Sequence, residues 1–237
     1  DLLRRLQSAV FSPLTMINAW YLKMPPWKQL DRVKNLCYEI DENSQKLEEE
    51  CRKWINLRMQ LIPYLHAAFV KYKKEGVPPF RALIVDFPEE KDSLKDLCGQ
   101  YMMGDQLMVV PVTANDREVV EKDIYFPRGK WYDFFTGESV EGGRRYRITV
   151  PLDRMPVYVK EGTLLPLAKI TNSTEDVNSR LLTVYAYGDI SRSFVLYEDD
   201  GTWNAPMIEN QIKWDSNRKR AVLHSAFYKL EKSILIK

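Results

Sequence analysis

The sequence predicts a mixed fold, in which an α/β segment precedes an all-β region made of two β-sandwich units. Apolar residues recur with helical spacing before Gly76, whereas short β-rich runs separated by turn-forming residues follow Pro79. A polar stretch over residues 171–180 divides the β-rich region. We therefore expect three units, over residues 1–78, 79–170 and 171–237, the last of which is incomplete.

The first unit has the order helix, buried strand, loop, helix. Residues 1–11 predict a helix, Ser12 and Pro13 end it, and the apolar run 14–19 predicts a short buried strand. This order is that of one repeating unit of a (β/α)8 barrel. Because one unit cannot close a barrel, we expect the last part of a barrel here and the rest of it outside these residues.

A long helix is predicted over residues 44–75. Its apolar residues recur at spacings of three, four or seven, which places them on one helix face. These residues are Leu47, Cys51, Trp54, Ile55, Ile62, Leu65 and Phe69. Pro63 should bend the helix because proline removes a hydrogen bond, and Gly76 followed by Pro78 should end it.

Ten β-strands are predicted after Pro79, from runs of β-branched, aromatic and other apolar residues bounded by turn-forming residues. The first β-sandwich unit contains the runs 81–87, 106–112, 122–126, 144–150 and 155–159. The second contains the runs 181–187, 192–198, 212–214, 220–225 and 233–236.

The composition argues against several classes of function. Lys and Arg number 35 against 33 Asp and Glu, so there is no broad positive field for nucleic acid. No apolar run approaches the ~20 residues that span a bilayer, so no membrane partner is expected. The cysteines form no CxxC pair and only two histidines accompany them, so we expect neither a metal site nor a cofactor. Cys37, Cys51 and Cys98 are expected to be buried free thiols.

A series of short motifs then gives a resemblance. In chain order they are RRLQ (4–7), FSPL (11–14), PW (26–27), RMQLIPYL (58–65), QYMMGD (100–105), VVPV (109–112), YFPRGKWYD (125–133), MPVYV (155–159), GTLLP (162–166) and YEDDG (197–201). Each motif alone is weak, but their shared order and spacing resembles the C-terminal part of family 31 glycoside hydrolases, including the α-glucosidases and α-xylosidases.

The resemblance implies a retaining, exo-acting α-glycosidase that acts on α-linked oligosaccharides. Such enzymes use two aspartates, one as the nucleophile and one as the acid and base. The family carries them on earlier barrel strands, and no aspartate of this sequence matches their motifs. We therefore assign no catalytic residue and expect this chain alone to be inactive. Its expected partners are the substrate and either the remaining barrel segment or a second copy of the chain.

Part of the sugar site is predicted just after the Ser-Pro pair. The resemblance implies an arginine and a histidine there, and this sequence has Met16 and Asn18 instead. The amide of Asn18 can donate to and accept from a sugar hydroxyl, whereas Met16 carries no charge. Trp20, followed by Tyr21, offers an aromatic face for sugar stacking. We take Asn18 and Trp20 as substrate-binding candidates, with a strand-end turn and loop packing as the open alternatives.

Four further features receive structural interpretations. Residues 197–201 are expected to form a turn at a strand end, and residues 131–135 a packing motif between the sandwich and the barrel. Both His66 and His224 are expected to be structural. Arg58 is expected to pair with an acid of the remaining barrel.

Two hypotheses remain at this point. The first is the C-terminal portion of an α-glycosidase. The second is a non-catalytic β-sandwich module that binds carbohydrate or scaffolds another chain. Titration of oligosaccharides into the chain alone separates them. The compartment stays open between cytoplasmic and periplasmic or secreted.

Overall fold

The computed structural model describes residues 2–17, 25, 44–113, 119–199, 202 and 206–237. These residues form mostly β-sheet with few helices. The helices are α1 (Leu2–Val10), α2 (Ser44–Gln60), α3 (Ile62–Glu75), α4 (Leu83–Asp86) and α5 (Lys91–Leu94). The strands are β1 (Phe80–Ala82), β2 (Tyr101–Met103), β3 (Leu107–Val109), β4 (Val119–Phe126), β5 (Lys130–Asp133), β6 (Ser139–Glu141), β7 (Arg144–Pro151), β8 (Val157–Lys160), β9 (Thr163–Ala168), β10 (Leu181–Tyr187), β11 (Phe194–Glu198), β12 (Ile208–Asp215), β13 (Arg220–Val222) and β14 (Lys229–Ile236).

The largest sheet has six antiparallel strands in the order β1-β2-β3-β8-β5-β6. Successive side chains of a strand point to opposite faces, so its apolar residues divide between two cores. Met103 and Leu107 belong to the core that contains α1, α2 and α3. Met102 and Met108 belong to the other core, which the antiparallel pair β4–β7 and helix α4 cover.

The long helix predicted over 44–75 is present and is interrupted where the proline predicts. Helix α2 ends at Gln60, and Pro63 lies in the first turn of α3, where a missing N–H breaks no helical bond. Gly76 ends α3 with φ +72°, and its N–H donates to the Tyr72 carbonyl at 2.9 Å. The interruption next to Pro63 and the end of the helix at Gly76 are confirmed.

The predicted apolar face of this helix is correct for most of its length. Cys51, Trp54 and Leu65 are buried in the core shared with α1 and the large sheet. Phe69 departs from the prediction, since it is 41% exposed. The free thiol of Cys51 is buried as expected, whereas that of Cys98 is exposed, which corrects the prediction there. The third cysteine, Cys37, lies outside the described residues.

Helix α3 also packs against two smaller sheets. One has the order β14-β10-β9, with β10 antiparallel to β9 and parallel to β14. The other has the order β11-β12-β13. Because β9 precedes residue 170 and its partner strands follow it, the first of these sheets spans the predicted boundary. The division into 79–170 and 171–237 stays a prediction.

Two of the predicted strands differ from the structure. Residues 14–17 form no strand, and residues 18 and 19 of the same predicted run lie outside the described residues. The run 81–87 forms a strand only to Ala82 and then turns into α4. The guanidinium of Arg81 binds both carboxylate oxygens of Asp86 at 2.7 and 2.8 Å, which closes this helical turn. None of the described helices is both long and apolar enough to cross a bilayer.

Candidate functional site

The predicted sugar-binding residues Asn18 and Trp20 lie outside the described residues, as does Tyr21. The structure does describe the segment that leads directly into them, residues 11–17. The side chain of Met16 is 70% exposed at the end of this segment. Contacts from helix α2, from strand β2 and from its own hydroxyl groups fix this segment, which we call the front segment.

Arg58 of helix α2 holds the front segment through three main-chain carbonyls. Its Nη1 donates to the Val10 carbonyl at 2.8 Å and to the Ser12 carbonyl at 2.7 Å, and its Nη2 donates to the Pro13 carbonyl at 3.1 Å. Burial lowers the pKa of Arg58 from its usual value. The expected pairing with an acid of the remaining barrel stays a prediction; within the described residues, these donors bind main-chain carbonyls at and just after the end of α1.

Side-chain hydroxyls complete the hold on the same segment. The Ser12 hydroxyl contacts the carbonyls of Ala9 and Leu14 at 2.8 and 2.7 Å. The Thr15 hydroxyl donates to the Ala9 carbonyl at 2.6 Å. Four side chains thus donate hydrogen bonds to the carbonyls around the end of α1. They are those of Ser12, Thr15, Arg58 and Tyr101. The backbone that enters the predicted sugar site is fixed by polar contacts rather than by a sheet.

Tyr101 links this segment to the large sheet. Its hydroxyl donates to the Phe11 carbonyl at 2.6 Å, and burial raises the pKa of Tyr101 to about 12. The phenol therefore remains protonated and keeps its donor at neutral pH. The Phe11 side chain is fully buried, and its ring meets that of Trp54 edge to face at 6.4 Å.

Helix α3 is fixed to the β2–β3 turn by an ion network. Lys71 Nζ lies 2.6 Å from Asp105 Oδ2, and Arg81 Nη2 lies 2.8 Å from Asp105 Oδ1. Burial by itself would raise the pKa of Asp105, but the hydrogen bonds and charges of Lys71 and Arg81 outweigh it and hold that pKa below its usual value. The carboxylate therefore stays ionised and joins two elements of the fold.

The same turn encloses a tyrosine of α3. Gly104 adopts φ +62°, and a Cβ added there would lie 2.6 Å from Cζ of Tyr64. The Tyr64 hydroxyl donates to the Met103 carbonyl and accepts from the Gln106 N–H at 3.2 Å. Burial raises the pKa of Tyr64, so the phenol is neutral and structural.

Gln100 joins the large sheet to the β4–β7 pair. Its amide nitrogen donates to the Tyr125 carbonyl and its amide oxygen accepts from the Tyr125 N–H, both at 2.8 Å. Gln100 is buried, so these bonds satisfy polar atoms that have lost water. Together, Gln100, Tyr101, Gly104 and Asp105 connect four parts of the fold.

The remaining motif residues have mixed outcomes. Trp131 and Tyr132 are buried as a packing motif requires, with Trp131 Nε1 donating to the Pro127 carbonyl at 2.8 Å. Strand β11 ends at Glu198, and residues 200 and 201 of the predicted turn lie outside the described residues. His66 Nε2 lies 3.1 Å from Asp199 Oδ2, and His224 is exposed. The described residues contain no group of three or more potential metal ligands.

Comparison with known proteins agrees with the motif series. Residues 76–165 match the sequence model of the glycosyl hydrolase family 31 C-terminal domain. The chain is 30% identical over 158 residues to an alpha-glucosidase 2 of Bacillus thermoamyloliquefaciens, which covers 66% of this chain and 20% of that protein. It is 30% identical over 200 residues to an alpha-xylosidase of Saccharolobus solfataricus, which covers 84% of this chain and 25% of that protein.

A solved structure extends the agreement to the fold. The chain superposes on the GH31 dextranase of Flavobacterium johnsoniae with a TM-score of 0.68 and 27% identity, over 91% of this chain and 26% of the dextranase. These relatives are glycoside hydrolases. The chain belongs to glycoside hydrolase family 31, and it spans about a fifth to a quarter of the length of the relatives described here.

The structure also assigns roles that the sequence analysis missed. The motif at 100–105 is part of the series that gives the resemblance. Its sequence does not indicate that the Tyr101 hydroxyl binds the Phe11 carbonyl, 90 positions away. The Gly104-Asp105 pair does carry a signal, since glycine followed by aspartate is typical of a turn. The sequence did not indicate the contacts of Arg58, because every residue has a main-chain carbonyl and the residue types do not show which carbonyl accepts.

Proposed function

We propose that this chain is the C-terminal portion of a retaining, exo-acting α-glycosidase that hydrolyses O-glycosidic bonds of α-linked oligosaccharides. The observation that carries the proposal is the family membership, together with relatives named alpha-glucosidase, alpha-xylosidase and dextranase. The dextranase was solved in complex with isomaltotriose, an α-linked oligosaccharide. The reaction follows from the class: an aspartate attacks the anomeric carbon, a second protonates the leaving oxygen, and water then releases the sugar.

In this proposal both aspartates belong to barrel strands outside these residues, and the chain's own contribution is positional. The front segment, held by Arg58, provides part of the rim of the (β/α)8 barrel, and residues 1–78 form the end of that barrel. Residues 79–170 and 171–237 form the two β-sandwich domains behind it. The hydrogen bonds that fix the front segment support a positional role for this chain, because they hold the backbone that leads to the proposed sugar site.

Asn18 and Trp20 are proposed to contact the sugar whose bond is cleaved. The Asn18 amide both donates and accepts, so it can bind two hydroxyls or one hydroxyl in either direction. The indole of Trp20 can stack on the apolar face of a pyranose. Met16 stands where the family resemblance implies an arginine, so this site lacks the positive charge that the arginine would supply. We expect this site to favour neutral sugars that need no guanidinium contact.

The test compares the 237-residue chain with a full-length polypeptide that carries an added family 31 barrel. We expect hydrolysis of aryl α-glycosides by the full-length polypeptide only, with the α-configured sugar as the first product by NMR. Asn18→Ala should raise KM or lower kcat there, whereas Asn178→Ala, at an exposed position in the 3-10 helix before β10, should change neither. Turnover by the chain alone, or a full-length polypeptide that binds sugar without turnover, would contradict the proposal.

A further inference from the structure

A cavity of about 790 Å³ lies between the junction of helices α2 and α3 and described residues of three later parts of the chain, at 168–180, 197–208 and 226–228. This volume falls within the range of roughly 300–1,000 Å³ typical of small-molecule sites. Its wall contains Met59, Ile62, His66, Arg180, Glu198 and Phe227. None of its lining residues belongs to the front segment or to the predicted pair Asn18 and Trp20.

Arg180 gives the cavity a fixed planar donor group. Its guanidinium carbon lies 3.8 Å from the ring centroid of Phe227, so the group is held by a cation–π contact. Its Nε is buried and has no hydrogen-bond partner within the described residues. An arginine held by an aromatic ring rather than by a carboxylate retains donors for a ligand.

The acidic groups of the cavity limit what that ligand can be. Glu175, Glu198 and Asp199 line it together with Arg180 and His66, so carboxylates outnumber the fixed cation three to one. This balance disfavours a phosphate or another anion. The guanidinium at the same wall disfavours a cation, and the described residues form no metal cluster. A neutral ligand with many hydroxyls satisfies both kinds of group.

Two further groups suit such a ligand. Burial, followed by the nearby charges of Glu198 and Asp199, raises the pKa of Tyr228 to about 12. The phenol is therefore protonated at neutral pH, and it can donate to one hydroxyl and accept from another. The side chains of Met59 and Ile62 add an apolar surface to the lining of the same cavity.

We propose that this cavity binds a short neutral oligosaccharide. Carboxylates accept from its hydroxyls, Arg180 donates to its oxygens, and the apolar wall packs on its C–H faces. The choice of an α-linked oligosaccharide rests on the proposed function. The existence of a site for a neutral polyol rests on the cavity alone.

The probe is isomaltotriose, with maltotriose as a second linkage and glucose 6-phosphate as an anionic counterpart. Backbone hydrogen exchange of the full-length protein locates binding, and we expect either trisaccharide to slow exchange at residues 62–66 and 225–228. The variant Arg180→Met keeps an unbranched side chain and removes the donors, and it should weaken this protection at least tenfold. Arg218→Met, an exposed arginine outside the cavity, should leave it unchanged.

The outcomes separate this inference from the proposed function. If Arg180→Met fails to fold, Ile208→Arg replaces it, since Ile208 is 55% exposed at the rim and the larger side chain narrows the cavity. Absence of protection at these residues, equal binding by the Arg180 and Arg218 variants, or preference for glucose 6-phosphate overturns the inference. Hydrolysis of aryl α-glycosides is measured in parallel, and its loss alone overturns the proposed function.

Discussion

The front segment and the large sheet are in contact, but the sheet buries most of its apolar side chains whereas the front segment exposes most of its own. In the sheet, Leu107 and Val109 are fully buried, as are most of their neighbours. In the front segment, Leu14 and Met16 are 71% and 70% exposed, and Ile17 is 44% exposed. The sheet fills its own core, whereas the front segment is held by carbonyl contacts and presents its apolar side chains outward.

This difference teaches where the two regions obtain their stability. Burying a large apolar side chain stabilises the fold by about 1.5–3 kcal/mol, and the sheet buries many such side chains on both of its faces. In the front segment, Phe11 provides most of this apolar burial, and the rest of the segment is held by hydrogen bonds from Arg58 and Tyr101. We therefore expect changes in the sheet to act on the whole molecule and changes in the front segment to act locally.

The largest effect is expected from Gly104→Ala. Alanine in the left-handed conformation costs roughly 1–2 kcal/mol, and the collision of its Cβ with Tyr64 adds about 1–3 kcal/mol of overpacking. Urea unfolding should show a loss of about 2–5 kcal/mol. Gly76→Ala is the matched control, because Gly76 has φ +72° with no atom near the added Cβ. Equal losses in the two variants would show that the Tyr64 contact is unimportant.

A smaller and local effect is expected from Arg58→Met. This substitution keeps the side-chain stem and removes three donors to the front segment, so residues 10–15 should open more readily, by about 2–4 kcal/mol. Amide hydrogen exchange should rise at these residues and stay unchanged in the strands of the large sheet. Arg52→Met is the control, since Arg52 makes an exposed ion pair with Glu48. Exchange that rises throughout the sheet would break the distinction between the two regions.

The sequence predicted the strands of the β-region and the helix break at Pro63 because both depend on local patterns. Runs of β-branched, aromatic and other apolar residues between turn-forming residues located strands such as β10, whose bounds Leu181–Tyr187 match the predicted run. This pattern failed at residues 83–86, where the bidentate bond from Arg81 to Asp86 favours a helical turn over a strand. A side-chain bond of this kind is invisible to periodicity.

The candidate site was predictable only in part, for a similar reason. The resemblance located Asn18, and the aromatic face of the nearby Trp20 suggested sugar stacking. The contacts of both residues remain predictions. The carbonyl contacts of Arg58 were not predicted, because their partners lie 45 to 48 positions away and every residue has a carbonyl. The cavity beside Arg180 was missed altogether, since its wall joins residues from four distant parts of the chain. Tertiary contacts, not local pattern, decide such sites.

The smallest effect on stability, and the most direct test of the comparison, is expected from Leu14→Lys combined with Met16→Lys. Both side chains are exposed, so the free energy of unfolding should change by less than about 0.5 kcal/mol. Exposed apolar side chains that lie together favour association, so the unaltered chain should dimerise or aggregate in sedimentation velocity and the double variant should do so less.

Val177→Lys gives this test its specificity, because Val177 is also exposed, at 67%, but lies far along the chain in the 3-10 helix before β10. If association depends on apolar exposure in general, the double variant and Val177→Lys should both reduce it. If the front segment is a surface that a larger body covers, only the double variant should act. A chain that already sediments as one monomeric species would mean that these apolar side chains need no partner, and the contrast between the two regions would then carry no consequence for assembly.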